Sequence, residues 1–545
     1  MKKYLGIFLR ITALLLIAGW DYFWATGMMD ALFAYRSPLQ HTPPQPGGAL
    51  GTPLTRKVVL VVVDALREDT SLKSNVMPNL NLLRQKGAWA TMHSQPPSFS
   101  QPGYSTILTG AWPEINDSPV INVDTAEIQT FTQDDIFSAA KRAGLHTAVS
   151  GFEWFGRLLP TGAVDNSFYT PKEDQQADFE VMSAALPWLS ADQYQLILVH
   201  LDQVDYAGHH EGGPIDPRWD AAAKRVDGML GEILSKLNLN LDTLLVISDH
   251  GQIDRGGHGG QDAIVLVEPF VLVGSGVRPG HYSDVQMVDV APTLAALLGT
   301  NLPASSQGKV LTDMLTRNSN QQEVINKIEA IQQTQLVNAY RSAVAPNQTS
   351  LSSIESIRSS RLNSERLPHT LIALFLFFTS LTYLFWKWNR AIIPLLNGAL
   401  IYIAVFNLRY ILIDEHTYSL SSMGGINEAI TYFGITAAIA MLVACAVVIY
   451  GQKLFSQEPG VVFKSLGDFS LLTIYLLFMP VLFSYALNGW KAVWALPEFN
   501  SVMFGFIDTL QILFVAVLGI GLAGLITLIT FIRRKFFIKE HNPIV

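Results

Sequence analysis

The sequence predicts an α/β domain, a mainly parallel sheet sandwiched by helices, joined to an α-helical transmembrane bundle. Three observations predict it. Between residues 57 and 315, short apolar runs alternate with helical patterns. Beyond residue 367, five long apolar stretches follow one another. The 545 residues are 49% hydrophobic and 15% charged, too apolar for an ordinary soluble protein and too charged for a bundle alone.

The strand candidates are 58–63, 146–151, 195–200, 243–248 and 270–273, with helical patterns at 77–87, 134–144, 216–237 and 288–298. Strands that alternate with helices and read as continuous apolar runs belong to a parallel sheet buried on both faces. A polar helix is expected near 321–340 and a Ser-rich linker over 350–364. The apolar stretches at 368–386, 391–413, 427–450, 468–488 and 504–531 are each long enough to cross a hydrocarbon core of about 30 Å. An earlier apolar run, from about 4 to 24 after Lys2 and Lys3, lacks a small-x-small cleavage site and reads as a retained anchor. The expected organisation is an anchor over 1–28, a Pro/Gly-rich linker over 29–56, a catalytic domain over 57–317, a helix and linker over 318–366, and five spans over 367–545.

Lys2 and Lys3, Lys387 and Arg390, Lys453 and Lys464, and Arg533, Arg534 and Lys535 fall on one side if every stretch crosses once. The positive-inside rule then puts both termini in the cytoplasm and the α/β domain outside. Net charge is −8 with no basic run, which excludes nucleic acid as a partner. The only cysteine, Cys445, lies in an apolar stretch, so an intramolecular disulfide and a cysteine zinc site are excluded. An external domain without disulfides fits a bacterial plasma membrane. Arg409 and Asp508, near the outer ends of their spans, are expected to snorkel.

Four segments carry chemistry: the apolar run ending at Asp64; SFSQPGYSTILTG over 98–110; VHLDQVDYAGH over 199–209; and ISDHGQIDRGGHGG over 247–260. A carboxylate at the end of a central parallel strand points into the crevice where open α/β sheets bind ligands. Buried unpaired, it is costly, and a divalent cation removes that cost. Mixed Asp and His donors suit zinc, with manganese as the alternative. Two cations can clamp the attacking and leaving oxygens of a phosphoryl transfer and activate a hydroxyl. Ser100 is preferred over Ser98 and Ser105 as that hydroxyl. Gly208 and the strand ending before it suggest a loop for Asp205 and His209. His200, Asp202, His210 and Glu211 are assigned to outer or solvated positions, and Glu114 and Asp117 to turns.

These segments, with VDVAPTLAALLG over 288–299, resemble the alkaline phosphatase superfamily, in particular its nucleotide pyrophosphatase/phosphodiesterase branch, over about 57–312. The resemblance implies one cation held by Asp205, His209 and His258, and a second by Asp64, Asp249 and His250 with Ser100 on or near it. Ser100 would then form a phospho-serine. That branch commonly carries an Asn soon after the nucleophile loop. Here the loop has none, so the Gly103 N–H or another side chain is expected to substitute, with Gly103 and Tyr104 contacting substrate. A sulfatase is disfavoured, because no Cys lies in the domain.

The resemblance implies an enzyme acting on a phosphoester substrate, lipid-linked ones included, beside membrane lipids. The first reading is a two-metal phosphodiesterase-type hydrolase. The second is transfer of a phosphoethanolamine-type headgroup from a phospholipid to a glycan or lipid, because the membrane layout is similar to the GPI ethanolamine phosphate transferases. A third is a non-catalytic membrane binding protein.

Overall fold

The computed structural model describes residues 2–348, 350–386 and 389–538. The sheet strands are β1 (Lys57–Val63), β2 (Ala88–His93), β3 (Thr147–Phe152), β4 (Asn166–Thr170), β5 (Leu196–Leu201), β6 (Asp242–Ile247), β7 (Val267–Gly274), β8 (Gly280–His281) and β9 (Val285–Gln286). Their order is β4-β3-β5-β1-β6-β7-β2-β8, with β9 also paired to β2. The five strands β4, β3, β5, β1 and β6 run parallel, while β7 is antiparallel to both β6 and β2. The fold is therefore a mainly parallel sheet rather than a wholly parallel one.

Every residue of β1 is buried. Val58, Leu60 and Val62 pack into one core and Val59, Val61 and Val63 into another on the opposite face, because successive side chains of a strand point to opposite faces. Helices Pro217–Lys236 and Gln175–Ser190 supply Trp219, Val226 and Val181 to the second core. Helix Val290–Leu298 supplies Leu294 and Leu297 to the first.

All five expected strands are present, shifted by at most a few residues. Missed were β2 and β4, whose pattern is broken by polar or half-exposed positions, and the two-residue strands β8 and β9. The Ser-rich stretch is helical from Ile354 on: one helix, Ile354–Trp386, runs from it into the second span. The first helix continues to Phe33, into the expected linker.

The protein is an integral membrane protein with six helices long and apolar enough to cross a bilayer, Tyr4–Phe33, Ile354–Trp386, Ile392–Ile413, Asn427–Gln452, Pro459–Asn488 and Phe499–Phe536. The connections after the third and fifth spans both touch the α/β domain. Glu114 accepts hydrogen bonds from Arg358, from the Tyr340 hydroxyl (2.9 Å) and from the Leu496 N–H (3.2 Å). Asp117 pairs with Arg36 and accepts from the Ser37 N–H at 2.8 Å. These two acids do more than close turns, because they latch the domain to the bundle. The basic residues used for orientation lie at the other ends of the spans, apart from Lys387, which falls outside the described residues. Asp508 does not snorkel: it is buried in the bundle and accepts from Gln511 Nε2 at 2.7 Å. Arg409 reaches back to Asp414 at 3.2 Å and lies over the Tyr432 ring.

Candidate metal centre

Three adjacent strands end at the site. β1 delivers Asp64, β6 delivers Asp249 and His250, and β5 leads into helix Gln203–His210, which carries Asp205 and His209. The pair at i and i+4 therefore shares a helix face, not the loop that Gly208 suggested. Gly208 has another use: a Cβ there would fall 1.9 Å from Gln252 Oε1. That close approach lets Gln252 Nε2 donate to Asp205 Oδ1 at 2.5 Å. His258 comes from the glycine-rich loop after β6. Ser100 is the first residue of helix Ser100–Thr109.

All seven expected residues converge. Ser100 Oγ is 3.2 Å from His250 Nε2. His250 Nε2 is 3.4 Å from Asp64 Oδ1 and 3.4 Å from Asp249 Oδ2. His209 Nε2 is 2.9 Å from His258 Nε2 and 3.5 Å from Asp205 Oδ2. The His250 and His258 rings stack with centroids 3.9 Å apart. Among the described residues, donor atoms of Asp64, Asp249 and His250, and of Asp205, His250 and His258, gather closely enough to hold an ion. Asp64, His200 and Asp202 gather likewise. Ser98 and Ser105 are turned elsewhere, donating to the Gly260 and Gln101 carbonyls at 2.8 Å.

The donor set fits divalent cations on its own chemistry. His250 Nδ1 lies 3.0 Å from the Gly251 carbonyl and His258 Nδ1 lies 3.2 Å from the Ser98 carbonyl. A carbonyl can only accept, so each Nδ1 carries a proton and each Nε2 is the ring atom turned to the site. Two carboxylates face His250 Nε2, and buried Asp64 Oδ1 and Asp249 Oδ2 have no hydrogen-bond partner. Burial, then the charge of Asp64, pushes the Asp249 carboxyl well up; burial, then His250, pushes His258 well down, keeping it neutral. Such an array of lone pairs is unfavourable by itself and is what a cation reverses.

Two expectations fail. The Gly103 N–H is already donated to the Phe99 carbonyl at 3.0 Å within its helix, so it cannot serve substrate. Gly103 is small for another reason: a Cβ would sit 3.0 Å from Asp249 Cβ and O. Tyr104 is fully buried beneath the site; its hydroxyl donates to Asp64 Oδ2 and lies 2.9 Å from His200 Nε2. Burial, then Asp64, raises its pKa and keeps it a donor. It orients Asp64 rather than touching substrate. One Asn, Asn122, does lie beside the start of the Ser100 helix. Asn122 Oδ1 accepts from the Gln101 N–H at 3.0 Å, and the residue lines the cavity mouth. Its distance of 22 residues from Ser100 hid it.

A cavity of about 1010 Å³ opens over His209 and His258. Its other wall, with Glu415, His416, Met423 and Glu428, belongs to the connection between the third and fourth spans and to the first turn of the fourth.

Residues 58–353 match the family model described as type I phosphodiesterase / nucleotide pyrophosphatase. Human GPI ethanolamine phosphate transferase 2, catalytic subunit, is 29% identical over 282 residues, covering 48% of this chain and 28% of that protein. GPI ethanolamine phosphate transferase 2 of Candida albicans is 27% identical over 321 residues, covering 54% and 36%. The chain thus spans about a third of the length of these curated relatives. Among solved structures, human ectonucleotide pyrophosphatase / phosphodiesterase 5 is 16% identical, with a TM-score of 0.40, over 48% of this chain and 100% of that one. With more than half of its length in the family match, the chain belongs to the type I phosphodiesterase / nucleotide pyrophosphatase family of the alkaline phosphatase superfamily of enzymes.

Proposed function

We propose that the enzyme transfers a phosphoethanolamine-type headgroup from a phospholipid to a hydroxyl of a glycan or lipid, through a phospho-serine at Ser100. The carrying observation is that Ser100 Oγ lies 3.2 Å from His250 Nε2, the residue common to two groups able to hold an ion, and that one of those groups presents His258 to a cavity whose second wall is a membrane-domain loop. A donor held in the bilayer can present its headgroup there. The named relatives support transfer over the hydrolysis that the sequence first suggests.

Asp205, His209 and His258 would hold one cation and Asp64, Asp249 and His250 the other, zinc or manganese. When bound, they would supply positive charge that lowers the pKa of the Ser100 hydroxyl and offsets the phosphoryl oxygens. Ser100 Oγ loses its proton and bonds to phosphorus, and the diacylglycerol oxygen departs and takes up a proton. In the second half, an acceptor hydroxyl gives up its proton, attacks phosphorus, and Ser100 leaves and is reprotonated. The Asn122 amide, at the cavity mouth, is available to a non-bridging phosphoryl oxygen.

Both termini are assigned to the cytoplasm and the catalytic domain to the outside, since both domain-touching connections lie opposite the Lys/Arg-bearing ends. Absence of cysteine from 57–317 favours a bacterial envelope over a disulfide-forming lumen. A reporter fused to the C-terminus should be protected from external protease in sealed vesicles; cleavage there would reverse the orientation.

The test uses full-length protein in nanodiscs containing headgroup-labelled phosphatidylethanolamine. Label should appear on the Ser100 peptide and discharge faster when a glycolipid acceptor is added. Label on another residue would end the Ser100 assignment, and discharge indifferent to acceptor would favour hydrolysis.

A further inference from the structure

We propose that the connection between the third and fourth spans, residues 414–425, is a working part of the metal centre: it holds the loop that carries His258. This rests on the reading of His258 as a cation ligand. The connection and the loop are joined at five points. The Gly260 N–H donates to Ser421 Oγ at 3.0 Å, and Gln261 Nε2 donates to the Tyr418 carbonyl at 2.8 Å. The hydroxyls of Thr417 and Ser419 donate to the two oxygens of Asp262 at 2.8 and 2.5 Å. Arg255 pairs with Glu415 at 3.2 Å.

The fit is close enough to need glycine. A Cβ at Gly257 (φ +115°) would fall 2.3 Å from the Ser421 carbonyl, and one at Gly260 would fall 1.7 Å from Ser419 Oγ. On its inner side the same loop is held by Ser98, whose Oγ accepts from the Gly259 N–H at 3.1 Å. A run with four glycines loses much conformational entropy on ordering, and here it is ordered from both sides.

The connection is itself fixed to the bundle. Tyr418 stacks on Phe504 with centroids 4.5 Å apart, its hydroxyl donates to Asn407 Oδ1 at 2.7 Å, and Leu420 packs in the bundle core. Ser419 and Ser421 are buried. The bundle therefore positions one half of the catalytic centre as well as tethering it, and Ser419, Ser421 and Asp262 are positioning residues.

Full-length protein carrying Ser419→Ala with Ser421→Ala, and separately Asp262→Asn, is stripped and titrated with zinc, reading bound metal by elemental analysis and turnover in parallel. The proposal expects the zinc concentration for half-occupancy of the weaker site to rise about 10-fold or more, the scale of outer-shell losses. Turnover should return toward wild type at saturating zinc. Thr431→Ala, an exposed position of the fourth span, should shift nothing. An unchanged zinc titration in both variants overturns the proposal, as does a turnover loss that no zinc concentration restores. Wild type that binds no cation overturns the metal reading along with it, whereas a loaded wild type with unmoved variants overturns this proposal alone.

Discussion

The two halves of the metal centre are built differently. Asp64, Asp249 and His250 stand at the ends of neighbouring central strands, almost wholly buried, with Tyr104 and the Ala65 N–H holding the carboxylates. Asp205, His209 and His258 sit on a short helix and a glycine-rich loop, and the His209 side chain is 40% exposed. The sheet core determines the first half. The second depends on loops, on Gln252 and on a segment of the membrane domain. The side beside Ser100 is thus fixed by the sheet core, while the side facing the cavity is fixed by contacts between distant segments.

Substitutions can break this contrast. Ser100→Ala, at the deep half, should lower turnover by about three orders of magnitude or more, over about 4 kcal/mol of barrier, with metal content unchanged; surviving activity would move the nucleophile elsewhere. His258→Ala should cost one equivalent of metal and leave the other, and the His209→Ala loss should be smaller because that ring is half open to solvent. Equal losses from the two would blur the distinction within the open half. Tyr104→Phe should weaken metal binding at the deep half by about 10-fold, read by chelator competition, without moving the open-half site. Asp249→Asn, assayed without metal, should raise the melting temperature by a few degrees, because it removes one of two close buried carboxylates. A fall would mean that this half is not strained when empty.

The deep half was legible in the sequence and the open half only in part. Asp64 directly closes an apolar run and Asp249 follows another after Ser248, so their place at the sheet edge follows from the strand pattern. His258 stands in a glycine loop whose shape depends on Ser419 and Ser421, some 160 residues away, and no local pattern encodes that pairing. Gly103 was misread because its helix consumes the N–H that was assigned to substrate. Tyr104 was misread because a strand-end neighbour, Asp64, draws its hydroxyl inward. Asn122 escaped notice because spacing along the chain hides proximity at the helix N-terminus. The six spans were evident from length and hydropathy, but the latch of Glu114 to Arg358 and Leu496 required three dimensions.

The most direct measurement is a cryo-electron microscopy map of the full-length protein in nanodiscs with zinc or manganese. The account predicts two strong densities about 4 Å apart, one among Asp64, Asp249 and His250 and the other among Asp205, His209 and His258, with Ser100 Oγ alongside. A map without density at either place, or with one ion remote from Ser100, would contradict it.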